Sequence, residues 1–329
     1  MSSPAGGTTL SAMSAAAPPT AATVAVFGPS PLLSIAIESR GADAGADDDI
    51  HLHAAGQGVW VARMAAELGA RPVLCGFLGG ETGTILRPLL EAMPFDLRLV
   101  QTGTDSGAYL QDRRSGERQL LAQHGADPPS RHELDDLFAL TTAAALEARV
   151  LAVCGTYPAE ALPLELYGNL VANVRENGTP TIVDLSPPRL DSALEGRPDL
   201  VKINDWELAA FVSGPVDTPA RLRSAAERLL ERGAAAALVT RAGEPALALR
   251  DGRAWELIPP RFERGSREGC GDSTMGALAA TMAAGRPWEE VLRVGAAAGA
   301  ANFLRHGLGT GSRAVVEELL PRVELRPLD

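Results

Sequence analysis

A short stretch near the C-terminus combines an anion-binding backbone with a carboxylate. Gly269-Cys270-Gly271-Asp272 brackets one small residue with two glycines, and an apolar run over Ser273–Ala280 follows at once. Glycines let backbone N–H groups converge on an anion, and the positive N-terminus of a following helix would point at the same place. A carboxylate there suits proton abstraction beside a neutralised phosphoryl group. Taken alone, an aspartate that caps the helix after a tight turn is the commoner explanation.

A second glycine-rich stretch also opens a helix. Gly56-Gln57-Gly58 leads into a helical run over Val59–Leu68, which Gly69 ends. The stretch lacks a third spaced glycine and does not directly follow the first predicted strand. A nicotinamide-binding Rossmann enzyme is therefore disfavoured.

The elements that must position these loops alternate along the chain. Buried-looking strands are predicted at 23–27, 73–80, 150–153, 181–185, 200–203, 236–240 and 246–249. Helices are predicted at 59–68, 84–93, 131–147, 162–176, 218–232, 273–284 and 288–304. Such alternation favours a layered α/β fold with a largely parallel sheet, in which binding sites gather at the carboxyl ends of the strands.

Two segments break this alternation and predict a smaller sheet. Leu33, Ile35 and Ile37 alternate with smaller or polar residues, as in a half-exposed strand, and an acidic loop is predicted over 41–49. Residues 107–121 read as a hairpin around a polar turn. Together these segments, about 30–53 and 105–122, predict a discontinuous β lid over the site.

Bulk composition limits the classes of function. The chain has 329 residues, 46% of them hydrophobic and 22% charged, with a formal net charge of −11. This acidity argues against nucleic-acid or anionic-membrane partners, and no apolar run is long enough for a membrane span. Three widely separated cysteines suggest a reducing compartment, and no basic residue precedes Arg40, so we expect a cytoplasmic protein. Residues 1–21, rich in Ser, Ala, Thr, Gly and Pro, predict a disordered tail before a domain over 22–325.

Four motifs in a fixed order identify the family that the chain resembles. Gly56-Gln57-Gly58, Lys202 to Leu208, Val239 to Leu247 and Gly269 to Asp272 resemble G-G-K-G-x-N-x-A-R, K-P-N-x-x-E-L, S-L-G-x-x-G-A and G-A-G-D. These are motifs of the phosphofructokinase-B branch of the ribokinase-like carbohydrate kinases, nearest to the 1-phosphofructokinase and tagatose-6-phosphate kinase group. The similarity runs from about residue 22 to 315. It implies a three-layer α/β/α fold with a mostly parallel central sheet and a small β-sheet lid.

The resemblance assigns the catalytic centre to the opening stretch. It implies that Asp272 removes the proton from the attacking hydroxyl, a role worth roughly 10²–10⁴-fold in rate. The backbone amides of Gly269, Cys270 and Gly271 would form an anion hole for the transferred phosphoryl group. Cys270 replaces the family's alanine, and because no histidine partner is evident, a nucleophilic cysteine is the less favoured alternative.

On the donor side, the resemblance implies ATP and Mg²⁺. The residues implied to bind ATP are Lys202, Asn204, Thr240, Ala242, Gly243, Gly299 and Asn302. Asn204 and Glu207 match the motif that organises water and Mg²⁺ around the phosphates, a role suited to oxygen ligands. Lys202, the only lysine among 30 basic residues, could meet a phosphate or be a solvated charge at a strand end. For Gly299 and Asn302, close packing of an alanine-rich helix is the alternative.

On the acceptor side, the sequence departs from the family. The residues implied to contact the substrate are Gly56, Gln57, Gly58, Trp60, Arg113 and Thr156. Gln57 replaces the family's lysine, Trp60 replaces its asparagine, and the aspartate expected after the first strand has no clear match. Arg113 and the neighbouring Arg114 could supply a cation by bidentate contact, or could form a plain surface turn. Thr156 keeps the hydroxyl of the family's S-G-S-x-P turn.

The function implied is ATP-dependent phosphorylation of a sugar phosphate. Acceptors of the fructose-6-phosphate, fructose-1-phosphate or tagatose-6-phosphate type fit the resemblance. One alternative is a kinase of an unphosphorylated sugar, nucleoside or polyol, and another is a kinase-like binding protein without catalysis. A homodimer through the β lid is also expected.

Overall fold

The computed structural model describes residues 21–40, 47–116, 118–305 and 311–328. Apart from residue 21, the predicted tail over 1–21 lies outside this part of the chain, as do residues 41–46 of the predicted acidic loop. Asp48 and Asp49, also predicted as loop, instead begin a strand, because they pair with Ser39 and Glu38 on the neighbouring strand.

The elements of the described residues alternate as expected. The strands are β1 (Thr23–Phe27), β2 (Leu32–Ser39), β3 (Asp48–Ala55), β4 (Arg71–Gly79), β5 (Asp96–Thr102), β6 (Ala108–Asp112), β7 (Gln119–His124), β8 (Val150–Cys154), β9 (Thr181–Asp184), β10 (Leu200–Asn204), β11 (Ala236–Arg241), β12 (Glu244–Arg250), β13 (Arg253–Ile258) and β14 (Glu324–Leu328). The helices are α1 (Gln57–Glu67), α2 (Gly80–Glu91), α3 (Arg131–Leu146), α4 (Glu165–Glu176), α5 (Arg189–Glu195), α6 (Asp205–Val212), α7 (Pro219–Glu231), α8 (Cys270–Ala283), α9 (Trp288–Phe303) and α10 (Arg313–Leu319). None of these helices has the length and apolarity needed to cross a bilayer.

The central sheet has the order β14-β13-β12-β11-β10-β9-β8-β1-β4-β5. From β11 to β5 every neighbouring pair is parallel, whereas β12, β13 and β14 extend the sheet antiparallel. The change of direction follows from connection length, because only Ala242 and Gly243 separate β11 from β12, too few for a crossover. The predicted mostly parallel α/β sheet is confirmed.

Helices cover both faces of this sheet, so its strands are apolar on both sides. On β1, Val24 and Val26 belong to one hydrophobic core, and Ala25 and Phe27 belong to the other. A half-buried strand would alternate apolar with polar residues, and the continuous apolar run of β1 reflects the double burial.

Helix α8, which carries the candidate catalytic residues, packs deep in the first core. It is apolar on nearly all sides, as a buried helix must be. Its small residues allow close approach: a Cβ on Gly276 would lie 2.4 Å from the Val61 carbonyl oxygen of α1. The helix that begins at the glycine loop is therefore held rigidly from both flanks.

The smaller sheet has the order β3-β2-β6-β7. The predicted hairpin is present as β6 and β7, and β6 pairs in parallel with the alternating strand β2. Its two faces differ. Ser34 and Gln111 are buried on one face, whereas Ile50 and Leu52 on the other are 64% and 45% exposed.

Candidate active site

Four neighbouring strands bring polar residues to one edge of the central sheet. Cys154 at the end of β8 is paired in register with Asp184 at the end of β9. Asn204 at the end of β10 is paired with Thr240 near the end of β11. Carboxyl ends of parallel strands meet at the same edge of a sheet. This edge is where residues far apart in the chain form one polar cluster.

Lys202 and Asp184 form a buried ion pair in this cluster. The distance from Lys202 Nζ to Asp184 Oδ2 is 2.7 Å, and the two side chains are 5% and 7% exposed. Burial by itself lowers the pKa of Lys202, but the nearby carboxylates, Asp184 first and then Asp272 and Glu207, together outweigh it, so the pKa is raised and the ammonium stays charged. A Cβ on Gly271 would lie 2.7 Å from the same Nζ. Lys202 therefore puts a fixed positive charge directly against the predicted anion hole.

The anion hole itself is the uncapped start of α8. Gly269 is the N-cap residue, with φ of 73°, and no side chain accepts a hydrogen bond from the first turn. A capping role for Asp272, the commoner explanation for the stretch alone, is therefore not what the structure contains. The Cys270 N–H donates to the Arg267 carbonyl oxygen at 3.3 Å, whereas the start of the helix has no side-chain cap and so leaves backbone N–H groups for an anion.

Asp272 lies half-buried in that first turn with an unusual affinity for protons. Burial, together with the Asp184 carboxylate, raises its pKa from 3.8 to about 7, although Lys202 acts in the opposite direction. A carboxylate with a pKa near the operating pH is well matched to accept and release a proton. The side chain can thus serve as a general base at neutral pH.

Cys270 lies in the same turn, but its thiol has the features of an unreactive one. Burial raises the pKa of its thiol, and its Sγ donates to the Ser266 carbonyl oxygen at 3.4 Å. A thiol that stays protonated is a poor nucleophile. The nucleophilic-cysteine alternative gains no support.

Asn204 and Glu207 form a capping box at the start of α6. Asn204 Oδ1 accepts a hydrogen bond from the backbone N–H of Glu207 at 2.9 Å, and Glu207 Oε2 accepts one from the backbone N–H of Asn204 at 3.3 Å. This arrangement explains why α6 begins at Asp205. Burial and the Asp184 carboxylate raise the pKa of Glu207. Both side chains therefore have a structural role, and their three-residue spacing is the signal that could have predicted it.

The donor set favours indirect rather than direct metal binding. In the described ranges, no group of three or more His, Cys, Asp or Glu side chains is arranged to hold a metal ion. Asn204 Oδ1 and Glu207 Oε2 are already engaged in the capping box. Because Mg²⁺ retains several waters when bound, Glu207 Oε1 fits a contact to such a water.

The predicted nucleotide turn closes the β11–β12 hairpin. Thr240 Oγ1 donates to the Ile203 carbonyl oxygen at 3.4 Å. Ala242 has φ of 51°, a left-handed conformation that favours glycine, while a Cβ on Gly243 would meet open space. The turn thus keeps a backbone shape suited to glycine, although Ala242 occupies it.

The two α9 residues predicted at the adenine pocket pack against α8. A Cβ on Gly299 would lie 2.6 Å from Thr274 Oγ1, so this glycine permits close helix contact. Asn302 is buried, and its Nδ2 donates to the Glu268 carbonyl oxygen at 2.7 Å. Asn302 therefore holds the loop that leads into the anion hole.

A cavity of about 180 Å³ lies beside this cluster. Its lining residues are Ser30, Leu32, Gly56, Gln57, Gly155, Thr156, Tyr157, Asp184, Leu185, Ser186, Arg189 and Glu207. Of the residues predicted to contact the acceptor, Gly56, Gln57 and Thr156 line it. The Oγ of Ser30 and the Oγ1 of Thr156 are 2.5 Å apart.

Gln57 ties two strand ends together. Its Oε1 accepts from the Gly155 amide at 2.8 Å, and its Nε2 donates to the Asp184 carbonyl oxygen at 3.2 Å. Gly58 allows α1 to reach this position, since a Cβ there would lie 2.4 Å from the Gly28 Cα. The amide that replaces the family's lysine is therefore held at both ends by the protein backbone.

Trp60 and Arg113 lie away from the cavity lining. Trp60 is 7% exposed on α1, with the Arg63 guanidinium 5.3 Å from its ring centre. Arg113 Nη1 lies 3.9 Å from Glu268 Oε2, and Arg118 Nη1 lies 3.0 Å from Glu268 Oε1. These arginines connect the smaller sheet to the loop that precedes Gly269.

Sequence reasoning missed three residues of the site: Asp184, Arg189 and Ser30. Asp184 had a signal, because it falls within a predicted buried strand that would expel an unpaired carboxylate. Arg189 had none, since nothing in Ser186-Pro187-Pro188-Arg189 marks it as buried. Ser30 was considered only as part of a segment that lacked the expected aspartate.

We compared the sequence and the fold with those of known proteins. The sequence pattern of the family described as pfkB family carbohydrate kinase matches residues 24–314. The chain is 30% identical over 259 residues to ATP-dependent 6-phosphofructokinase isozyme 2 of Escherichia coli (strain K12), covering 77% of this chain and 82% of that protein. It is 24% identical over 273 residues to 1-phosphofructokinase of Bacillus subtilis (strain 168), covering 83% and 88% respectively. The crystal structure of phosphofructokinase-2 from Escherichia coli in complex with potassium aligns with a TM-score of 0.79 at 26% identity, covering 92% of this chain and 98% of that one.

Proposed function

The chain belongs to the pfkB family of carbohydrate kinases, and on that premise we propose that it transfers the γ-phosphoryl group of ATP to a hydroxyl of a sugar phosphate. Family membership makes it an ATP-dependent sugar kinase. Relatives named 6-phosphofructokinase and 1-phosphofructokinase support an acceptor of the fructose-6-phosphate, fructose-1-phosphate or tagatose-6-phosphate type. The observation that carries the proposal is Asp272, a carboxylate with a pKa of about 7 at the uncapped start of α8.

In this proposal Asp272 accepts the proton of the attacking hydroxyl. The transferred phosphoryl group carries spread negative charge, which the amides of Gly269, Cys270 and Gly271 stabilise. Lys202 adds a fixed positive charge against Gly271, and its pair with Asp184 keeps it in place. These groups act through position, because they are held before the substrates arrive.

On the donor side, we assign ATP to the edge that carries β10 and β11. Lys202, Asn204, Thr240, Ala242, Gly243, Gly299 and Asn302 remain the proposed nucleotide residues. Gly299 and Asn302 act in this assignment by shaping the α8–α9 wall. Asn204 and Glu207 would hold Mg²⁺ through water, and the ion would supply charge neutralisation of the phosphates when bound.

On the acceptor side, we assign the sugar to the cavity beside Asp184. Gly56, Gln57 and Thr156 line this cavity. Gly58 and Trp60 support it from α1, and Arg113 contributes from the lid in this assignment. The proposed substrate contacts are therefore mostly backbone and hydroxyl groups.

An acceptor screen with ATP and Mg²⁺ tests the proposal. We expect turnover with phosphorylated ketohexoses and a loss of roughly 10²–10⁴-fold in kcat for Asp272→Asn, because the general base is removed. Binding of ATP should persist in this variant, which shows that the fold and nucleotide site survive. Ser130→Ala on distant α3 serves as the matched control and should retain full kcat.

Two outcomes would overturn the proposal. Turnover with unphosphorylated sugars, nucleosides or polyols but with no sugar phosphate would establish the alternative acceptor class. ATP-dependent turnover that survives unchanged in Asp272→Asn would remove Asp272 as the base.

We also propose that two copies of this chain associate through the lid. On its outer face, Leu52 is paired with Ile35 and Ile50 with Ile37, and Leu110 lies beside Ile35 on β6. Ile50 and Leu52 are largely exposed. A contiguous apolar face on an otherwise acidic protein favours burial against another copy of itself.

A further inference from the structure

Arg189 is a buried cation at the wall of the acceptor cavity. It is the first residue of α5 and is only 7% exposed. Its Nη1 donates to the Thr156 carbonyl oxygen at 2.9 Å, and its Nη2 donates to Ser186 Oγ at 2.7 Å. A guanidinium has more N–H groups than these two bonds use. Its Nε is buried without a hydrogen bond that meets the distance criterion, and the buried Tyr167 hydroxyl lies close enough to the guanidinium to interact with it.

The charge of Arg189 has no carboxylate partner. In the described ranges, none of the ion pairs within 4.0 Å includes it, whereas the other buried cation, Lys202, is paired with Asp184. Removing a charge from water is costly unless an opposite charge compensates for it. An arginine held this way at a cavity wall is therefore a receptor for an anion that comes from outside the protein.

The rest of the wall near Arg189 also favours an anion. Gly56, the N-cap of α1, leaves the first turn of that helix without a side-chain cap, so its N–H groups are available. The hydroxyls of Ser30 and Thr156 line the same cavity. A Cβ on Gly155 would lie 3.4 Å from Gln57 Oε1 and 3.5 Å from Arg189 Nη1. The first residue of α1 and the Arg189 guanidinium therefore lie on either side of Gly155, close to each other.

The acidic residues of the cavity do not cancel this character. Asp184 is neutralised by Lys202 at 2.7 Å. Glu207 accepts a hydrogen bond from the Asn204 backbone N–H and forms no ion pair with Arg189 within 4.0 Å in the described ranges. Gln57 cannot supply a cation, and both ends of its amide are engaged. Arg189 is thus the cation that faces the acceptor.

We propose that Arg189 binds the phosphate group carried by the acceptor through the Nη N–H groups that Thr156 and Ser186 leave unused, with the start of α1 and the Ser30 and Thr156 hydroxyls completing the site. This assignment rests on the proposed function, since it presumes that the acceptor occupies the cavity. Arginine suits the task because its planar fork matches phosphate geometry.

The test compares Arg189→Gln and Arg189→Lys with the wild type. For Arg189→Gln we expect KM for the phosphorylated sugar to rise on the order of 10–100-fold, the loss expected for charge-assisted hydrogen bonds. KM for ATP, kcat, and KM for any unphosphorylated counterpart should change little. Arg189→Lys should recover part of the affinity, and the exposed Arg175→Gln, an arginine on α4, is the matched control.

A second readout is independent of catalysis. Inorganic phosphate, titrated into the full chain without ATP, should raise the Tm of the wild type and of Arg175→Gln but not that of Arg189→Gln. If the wild type uses no sugar phosphate, the proposed function fails, and the phosphate titration still decides whether Arg189 binds an anion.

Three results would overturn the assignment. One is an equal rise in KM for phosphorylated and unphosphorylated acceptors, which indicates a structural role only. Another is phosphate protection that Arg189→Gln retains or that the wild type never shows. The third applies if Arg189→Gln does not fold: an Arg189→Lys variant whose KM rises by the same factor for phosphorylated and unphosphorylated acceptors would then overturn the assignment.

Discussion

Asp272 and Lys202 act on each other through their charges. Burial raises the pKa of Asp272 to about 7, and the nearby ammonium of Lys202 keeps it from rising further. Lys202 in turn stays charged because Asp184 lies 2.7 Å from it. The acidity of the base is therefore set by a partner that is 70 positions away in the chain but directly behind the anion hole.

The pH profile of the reaction tests this coupling. Asp272 must be deprotonated to act as a base, so kcat/KM of the wild type should rise with pH and level off above about 7. In Lys202→Met the midpoint should move to higher pH, because the charge that lowers the pKa of Asp272 is gone. The same variant leaves Asp184 buried without a partner, which we expect to cost about 3–5 kcal/mol of unfolding free energy.

Lys202→Arg is the control, since it keeps the charge and should keep the midpoint near that of the wild type. An unshifted midpoint in Lys202→Met, measured with folded protein at low temperature, would show that the two groups are not coupled.

At the scale of elements, α6 combines a structural and a functional role in one motif. Asn204 and Glu207 close a capping box that starts the helix, and the same residues are our candidates for the water shell of Mg²⁺. A capping box needs hydrogen-bond acceptors at both positions, whereas the proposed metal role needs the negative charge of Glu207. The two roles can therefore be separated by substitution.

Glu207→Gln should keep the helix cap and lose the charge. We expect its unfolding free energy to stay within about 0.5 kcal/mol of the wild type, because glutamine also serves in capping boxes. KM for Mg-ATP should rise, as measured by initial rates over a range of Mg²⁺ concentrations. Asn204→Ala should instead cost about 1 kcal/mol in urea unfolding.

Another capping box, formed by Ser130 at the N-cap of α3 and Glu133 in its first turn, supplies the matched control. Ser130→Ala should lose a similar amount of stability and leave KM for Mg-ATP unchanged. If Glu207→Gln also leaves the Mg²⁺ dependence unchanged, Glu207 is only a cap.

At the scale of the whole molecule, the lid has two different faces. The inner one buries polar groups, with Gln111 Nε2 donating to Ser34 Oγ at 3.2 Å and Arg118 Nε donating to Gln111 Oε1 at 2.7 Å. Arg118 continues to Glu268, next to the anion hole. The outer one exposes Ile50 and Leu52. The exposed isoleucine and leucine of the outer face are explained if another copy covers that face.

If two copies associate through the lid as proposed, Leu52→Lys should convert that dimer to a monomer. A buried lysine in the centre of the apolar contact would lack a partner, so the mass measured by light scattering should halve at micromolar concentration. Ile85→Lys on α2 is the matched control, since Ile85 and Leu52 are both 45% exposed. A wild type that is monomeric at high concentration, or a Leu52→Lys variant that remains dimeric, would contradict the lid-mediated contact.

The sequence by itself determined the features that are local in the chain. The alternation of apolar runs and helices predicted the layered sheet, because each element records its own burial pattern. The four ordered motifs, which include Gly269 to Asp272 and the pair Asn204 and Glu207, predicted a phosphoryl-transfer centre through the family that they resemble, since each motif lies within a short stretch of backbone. The resemblance that these motifs carried was confirmed as membership of the pfkB family.

Only the tertiary structure decided the features that depend on packing between distant segments. The pKa of Asp272 follows from burial by several elements and from Asp184. The sequence predicted Gln57 as a substrate contact. In the structure, α1 brings its side-chain amide against Gly155 and the end of β9, where each end of the amide makes a hydrogen bond to the backbone. Arg189 gave no local signal. In the folded chain, the segments that follow β8 and β9 meet the start of α5, and this makes Arg189 a buried cation at the cavity. Burial and charge pairing are properties of the folded neighbourhood, and a residue's own segment does not encode them.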